Sequence, residues 1–380
     1  MSYEPMHKPT KMPAADADAV GMSNEGLGGI DQLMQSHVDA GDIQGGVTVV
    51  ARHGKVVHFS THGEMDEEKG RAMESDAIFI MASSAKPVIC VAALMLVEEG
   101  LISLSDPVSK YIPEFADAKV AIFDGDDPKD YRLEPISTPV TIHHLLTHTS
   151  GLSFEGPGGF LQPNDGDTLT MYAKRIAEAP LNFQPGTRWG YGNTGIHGVV
   201  GGIIEIVSGT PFIDFMHERV FTPLEMNDSY FDVPDDKYSQ RVIIKGLDFA
   251  QKKKGMGLCS AAEDFLHFNQ MLLNGGALFG RRLLSQATVN MMSSNQVGDL
   301  FAKAGKGVKE QKGMGFGYAV AVTLDPEIAG NHRGKGSFGW GGAGGTESWV
   351  DPEHELVAVR MMQQERGGDF SEAVKQALIR

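Results

Sequence analysis

Met81-Ala82-Ser83-Ser84-Ala85-Lys86-Pro87, followed by the apolar run Val88-Ile89-Cys90-Val91-Ala92-Ala93-Leu94-Met95-Leu96-Val97, is the stretch around which this chain is organised. Ser83 and Lys86 are three residues apart, which on a helix puts them one turn apart on one face. A serine hydroxyl is a weak nucleophile until a neighbouring base takes its proton. A lysine amine short of water can be that base, because burial lowers its pKa. Pro87 fits a first helical turn, where a missing N–H costs nothing, and the pattern predicts a buried helix over 88–97 ended by Gly100. The positive end of that helix stabilises negative charge developing at Ser83. Ser84, two residues from Lys86, points away from it, so Ser83 is the candidate nucleophile. The same letters also fit a helix N-cap serine followed by a surface lysine. About one S-x-x-K arises by chance in a chain this rich in serine and lysine, so the remaining sequence decides.

At 380 residues the chain is long enough for two compact units, or one domain with a large insertion. It is 41% hydrophobic and 22% charged, an ordinary globular composition, and its 47 glycines predict many tight turns. A net charge of −16 sets nucleic-acid binding aside, since that needs a basic surface. The one basic run, Lys252-Lys253-Lys254, reads as a solvated turn. Two cysteines, Cys90 and Cys259, make no disulfide framework. No apolar run is long enough to span a membrane. Residues 1–21 carry no signal-peptide core, so the expected location is cytoplasmic, or periplasmic if a leader has been removed.

Outward from the Ser83 stretch, Ser23 or Asn24 caps a predicted helix reaching Ala40, stopped by Gly41. Strands are expected over 47–52 and 56–61 around a turn at His53-Gly54-Lys55, and over 77–80. Residues 114–136 read as an acidic excursion loop. Short helices are expected at 141–148 and 168–179, and a strongly apolar one over 194–207, where Gly198, Gly201 and Gly202 predict a close backbone crossing. A helix at 260–273, a strand over 315–323, a hairpin over 348–362 and a last helix over 370–379 complete the pattern. Strands at both ends with helices between them predict an α+β fold. The expected domains are 22–85 with 255–380 as a discontinuous α+β unit, 86–254 as a mostly helical unit, and 1–21 as an N-terminal extension.

Tyr191-Gly192-Asn193 is the only Y-x-N in the chain. In extended backbone both side chains face one way. A phenol whose pKa is lowered by a nearby ammonium shuttles protons at neutral pH, and Asn193 can hold the lysine or an acyl chain. The bland alternative is a packed tyrosine beside a capping asparagine. Further on, Gly339-Trp340-Gly341-Gly342-Ala343-Gly344-Gly345 lets a substrate approach backbone closely and offers an N–H for an oxyanion hole.

Ser83-x-x-Lys86, Tyr191-x-Asn193 and the glycine-rich strand at Trp340, in that order, resemble the serine β-lactamase-like superfamily, and within it the class C branch and family VIII carboxylesterases. Leu145-Leu146-Thr147-His148-Thr149-Ser150-Gly151-Leu152 and Met271-Leu272-Leu273-Asn274-Gly275-Gly276 agree, and the resemblance spans residues 25–365. It implies the β-lactamase/penicillin-binding-protein-like fold: an antiparallel sheet flanked by helices, plus a mostly helical domain. It implies a serine hydrolase cleaving short-chain acyl esters through an acyl-enzyme on Ser83, with Lys86 and Tyr191 moving the proton. Which of the two is the base stays open, since they titrate as a pair. Ser83 and Ala343 form the implied oxyanion hole, and Asn193, Trp340, Gly341 and Gly342 bind substrate. Where β-lactamases carry K-T-G, this chain has Trp340-Gly341-Gly342. An indole replaces the cation that would hold a carboxylate, which favours uncharged esters, although His332, Arg333 and Lys335 lie nearby. The expected partner is a small ester or amide substrate, with no metal and no other cofactor; oligomeric state stays open. A β-lactamase, D-amino-acid peptidase or acyltransferase of the same fold is the alternative, and a non-catalytic binding protein is the more distant one. His144 and His148 stand at i, i+4, a spacing that can bind zinc, but without the glutamate of a metalloprotease helix.

Overall fold

The computed structural model describes residues 11–123, 125, 130–244, 257–303, 310–364 and 369–379. Two compact units divide the chain: Met1–Ala85 with Phe221–Arg282 and Asp325–Arg380, and Lys86–Val220 with Leu283–Leu324.

This division corrects the expected domain limits. The 254/255 boundary lies outside the described residues, and the contacts divide elsewhere. Phe221–Arg282 belongs to the first unit because its backbone pairs there: Phe79 with Ser260, Ile80 with Cys259, Ile78 with Arg241 and Asp66 with Ile243. Leu283–Leu324 belongs to the second, where Ala319 N donates to Leu146 O at 2.8 Å and His143 Nδ1 lies 3.0 Å from Tyr318 Oη. Nor is the expected 1–21 extension wholly external. Ala15 N donates to Val56 O, and Ala17 and Val20, on a 3-10 turn, enter the core. The Lys252-Lys253-Lys254 turn lies outside the described residues.

In the first unit a wholly antiparallel sheet runs in the order Phe338–Gly341, Glu347–Asp351, Leu356–Met361, Gly45–Arg52, Lys55–Asp66, Arg71–Ala72. Side chains alternate across it. Val50, Val57, Trp349, Leu356 and Ala358 pack on Leu27 and Ile30 of the helix Asn24–Asp39, and on Phe370 and Val374 of the helix Asp369–Gln376. The helix Ala262–Leu273 meets the same central strands. Every residue of Leu356–Met361 is buried, as a strand covered on both faces requires. Ser23 caps the first helix by accepting from Gly26 N at 3.2 Å.

The second unit is mostly helical. Ala85–Glu98 is buried from Val88 to Leu96 apart from a slight opening at Met95, because its sequence is apolar on every side rather than on one stripe. Thr194–Val200 is a π-helix that continues as the α-helix Gly201–Ser208. Gly198, Gly201 and Gly202 face Ile176, Leu169 and Ala173 so closely that a Cβ would collide with each, the crossing their spacing predicts. Two expectations change here. The 114–136 stretch contains a hairpin, Lys119–Phe123 with Tyr131–Pro135, whose apolar residues the acidic letters of the stretch outweigh in a reading of composition. The single strand expected over 315–323 is a hairpin, Met314–Phe316 with Ala321–Thr323.

Two glycines of the first helix separate packing from propensity. A Cβ on Gly26 would overlap the backbone of Ala377, whereas one on Gly28 meets nothing within 4 Å. Thermal or denaturant unfolding is expected to show Gly26→Ala losing about 1–3 kcal/mol by overpacking. Gly28→Ala is expected to gain about 0.5–1 kcal/mol, since a helical glycine with open space around its Cβ position is the poorer helix former.

Candidate active site

In the first unit, Ser83 is half-buried on the 3-10 turn Ala82–Ser84, which leads directly into the helix Ala85–Glu98. Ala82 holds a φ of 46°, the left-handed conformation that costs a residue with a Cβ. The turn is over-determined by its surroundings. Met81 N donates to Leu258 O at 2.8 Å, and Met81 O accepts from Ser84 N at 2.9 Å and from Thr346 Oγ1 at 3.2 Å. Ser84 Oγ lies 3.1 Å from Thr346 Oγ1, so the second serine is committed away from Lys86, as its spacing predicts. One residue upstream, Gln363 acts as a strand partner for Ile80. Its Oε1 accepts from Ile80 N at 2.9 Å and its Nε2 donates to Ile80 O at 3.2 Å.

The glycine-rich segment rides on this turn. Trp340 is half-buried on the strand Phe338–Gly341, opposite Ser348. A Cβ on Gly339 would overlap Ser348 O, and one on Gly342 would overlap Met81 O and Thr346 Oγ1. Glycine is needed at both places for backbone to approach backbone. Gly342 N donates to Thr346 O at 2.7 Å and Gly345 N to Gly342 O at 3.0 Å. Ala343 lies exposed in the turn between them. Among the described residues no backbone acceptor takes its N–H, which suits a donor kept for substrate.

In the second unit, the Lys86 side chain is fully buried. Its Nζ donates to Tyr191 Oη at 3.0 Å and to Asn193 Oδ1 at 2.7 Å, and sits 4.7 Å from the Tyr191 ring centroid. Burial pushes the amine's pKa down from 10.5 to about 7, because a charge out of water is costly. Tyr191 and Asn193 both reach Lys86, although Asn193 is not extended but helical (φ −97°, ψ −34°), as the residue that leads into the π-helix Thr194–Val200, a form that concentrates at functional sites. A Cβ at Gly192 would strike Leu152 O, so glycine lets the Tyr191 segment lie flat, where Phe154 N donates to Tyr191 O at 2.8 Å. Trp189 stacks on Tyr191 at 5.8 Å and 13°, His148 tilts against it at 4.9 Å, and Phe154 meets it edge-on at 5.8 Å.

Lys86, Tyr191 and Asn193 are thus brought together in one unit. Ser83, Gly341, Gly342 and Ala343 are gathered in the other, where Gly342 touches the residue two before Ser83. The cations near Trp340 are not all available to a substrate. Arg333 forms an ion pair with Glu347 and lies 4.3 Å over the Trp349 ring, and Glu347 is also 2.8 Å from Arg360. Sequence reading passed over Thr346 and Gln363, since no local pattern marks a residue whose partners are about 260–280 positions away. Cys90, buried in the helix, has its thiol pushed well up by burial, which leaves it unreactive. Among the described residues no cluster of three or more His, Cys, Asp or Glu could hold a metal ion.

The Lys86 shift is measurable as stability. Between pH 7 and 10.5 the unfolded chain keeps this proton and the folded one has lost it, so folding stability from Lys86 rises with pH. Below pH 7 both states carry the ammonium and the burial cost is present in full. Denaturant unfolding at pH 7, 8 and 9 is expected to show wild type gaining on Lys86→Met by up to about 1.4 kcal/mol per pH unit. A constant gap would show that Lys86 stays charged.

A model of the Beta-lactamase family matches residues 30–379. Protein Rv1367c of Mycobacterium tuberculosis (strain ATCC 25618 / H37Rv) is 31% identical over 364 residues, covering 89% of this chain and 90% of that protein. Esterase EstB of Burkholderia gladioli is 31% identical over 350 residues, covering 81% and 82%. Among solved structures, EstCE1, described as a hydrolase with promiscuous acyltransferase activity, superposes with a TM-score of 0.76 at 23% identity, covering 93% of this chain and 99% of that one. The fold is the α+β fold of β-lactamases and penicillin-binding proteins. On the family match over most of its length, the chain belongs to the beta-lactamase family.

Proposed function

We propose that this protein is a serine hydrolase that cleaves carboxylic esters, short-chain acyl esters among them, through an acyl-enzyme on Ser83. The observation that carries the proposal is the buried Lys86 amine hydrogen-bonded to Tyr191 and Asn193, one helical turn along the chain from Ser83. Family membership supports a serine hydrolase or acyltransferase of this fold, and the similarity to EstB favours the ester reading. The indole at Trp340 supports the family VIII-like assignment, because it offers a substrate carboxylate no cation.

Ser83 Oγ attacks the ester carbonyl as its proton passes to the Lys86–Tyr191 pair. The tetrahedral oxyanion is held by the N–H groups of Ser83 and Ala343, and one such donor is worth about 2.7–4 kcal/mol. The C–O bond breaks as the pair returns the proton to the leaving alcohol. Water, deprotonated by the same pair, then releases the acid and regenerates Ser83. Asn193 holds the Lys86 amine, and Trp340, Gly341 and Gly342 form the wall for substrate. A pair containing an amine with a pKa near 7 is half-competent at neutral pH without any further group.

Labelling with a fluorophosphonate, followed by peptide mass mapping, is expected to place one adduct on Ser83, and Ser83→Ala to abolish it. No adduct on Ser83 would end the hydrolase proposal. Turnover of a short-chain p-nitrophenyl ester is expected to exceed that of a chromogenic cephalosporin, and kcat/KM to rise with pH through a midpoint near 7 as the Lys86–Tyr191 pair loses its proton. Faster cephalosporin turnover would transfer the assignment to the β-lactamases, and transfer of the acyl group to an added alcohol in preference to water would transfer it to the acyltransferases.

A further inference from the structure

His148 follows the helix Ile142–Leu146 with a φ of 57°, a left-handed conformation that histidine enters more readily than most residues with a Cβ. Its peptide is tied on both sides: His148 N donates to Leu145 O at 3.3 Å, and His148 O accepts from Gly190 N at 2.9 Å. The second bond joins it to the residue before Tyr191. Only 2% of the residue is exposed. The ring stands 4.9 Å from the Tyr191 ring, 5.6 Å from Phe316 and 5.8 Å from Trp189, and Trp189 itself stacks on Tyr191. Its Nε2 is buried with no hydrogen-bond partner. A buried polar atom left unpaired is costly and calls for a reason.

The titratable groups facing it are Lys86 from the helix Ala85–Glu98, His197 from the π-helix Thr194–Val200, and Tyr191. Burial first, then the Lys86 charge, then His197 hold the imidazole's pKa well below its ordinary value. His197 is held down to about 3, again by burial and then by Lys86. Both rings are therefore neutral at neutral pH, and neither adds a positive charge beside the amine.

We propose that His148 is a positioning residue of the reaction centre: its buried ring fixes the Tyr191 phenol against the Lys86 amine. The inference rests on the proposed hydrolase reading for its rate consequences, but not for its geometry. His148 touches no reacting atom and acts only through Tyr191. A flat ring pinned through its own backbone to both neighbouring segments restricts the tilt of the phenol, and so the 3.0 Å contact with Lys86.

Two variants separate ring from nitrogen. His148→Asn tolerates the left-handed backbone and removes the ring, whereas His148→Phe keeps a ring and removes the nitrogen. Circular dichroism and melting select the folded ones. With a p-nitrophenyl ester, His148→Asn is expected to lower kcat about 100-fold with KM little changed, and His148→Phe to retain most of kcat. The double variant His148→Asn/Tyr191→Phe is expected to be no slower than Tyr191→Phe, since residues acting as a unit are not additive. The titration of the Tyr191 phenol, read as the ultraviolet difference between wild type and Tyr191→Phe, is expected to move in the His148→Asn background. Additive losses, or a folded His148→Asn protein with wild-type kcat and an unmoved phenol titration, would overturn the proposal. A wild-type protein that neither hydrolyses esters nor labels on Ser83 would sink the hydrolase reading alone. The phenol titration would still decide His148.

Discussion

The arrangement depends on one ammonium taken out of water. Lys86 is fully buried in a helix that is itself apolar on every side, and the cost of that burial is what brings its pKa to about 7. An exposed lysine in the same place would hold its proton some three orders of magnitude more tightly and would serve only as a fixed charge. Two oxygen acceptors, from Tyr191 and Asn193, keep the group oriented. The surrounding ring cluster keeps solvent from restoring its ordinary behaviour. Stability is given up locally for an amine that changes its protonation state near neutral pH.

The Ser83 turn, in the first unit, is a problem of backbone placement. Ala82 at φ 46° turns the chain sharply before Ser83, and the turn persists because Thr346, Gln363 and Leu258 bind the peptide groups beside it. Gly342 and Gly339 are glycine because carbonyl oxygens of neighbouring segments occupy the space a Cβ would need. The place of Ser83 is thus fixed through the main chain beside it.

Much of this was legible in the sequence. The spacing of Ser83 and Lys86, the closeness of Tyr191 and Asn193 along the chain, and the apolar run after Pro87 are local patterns with direct physical meaning, although the extended backbone expected at Asn193 is helical instead. The crossing at Gly198, Gly201 and Gly202 could be read the same way. Other features could not. The hairpin Lys119–Phe123 with Tyr131–Pro135 has one short apolar strand and one mixed strand in an acidic stretch of sequence, too little pattern to outweigh its loop-like composition. The limits of the two units depend on two-residue pairings such as Phe79 with Ser260, which no periodicity announces. Thr346 and Gln363 have partners far away in sequence. His148 drew notice for its spacing from His144 and as one letter of the stretch Leu145–Leu152, and its ring contacts depend on a backbone angle that the letters do not encode.

Arg333 carries a last consequence, for encounter rather than for catalysis. Glu347 and Trp349 hold its guanidinium, so it is not free to swing toward an incoming anion. The chain as a whole carries a net charge of −16. A molecule bearing a carboxylate therefore approaches against a repulsive field, and its association is slowed before any contact is made. Dissolved salt shortens the field's reach to about 10 Å at 0.1 M, so anionic compounds arrive faster as ionic strength rises, while neutral ones are indifferent to it. Selection by charge thus begins in the solvent.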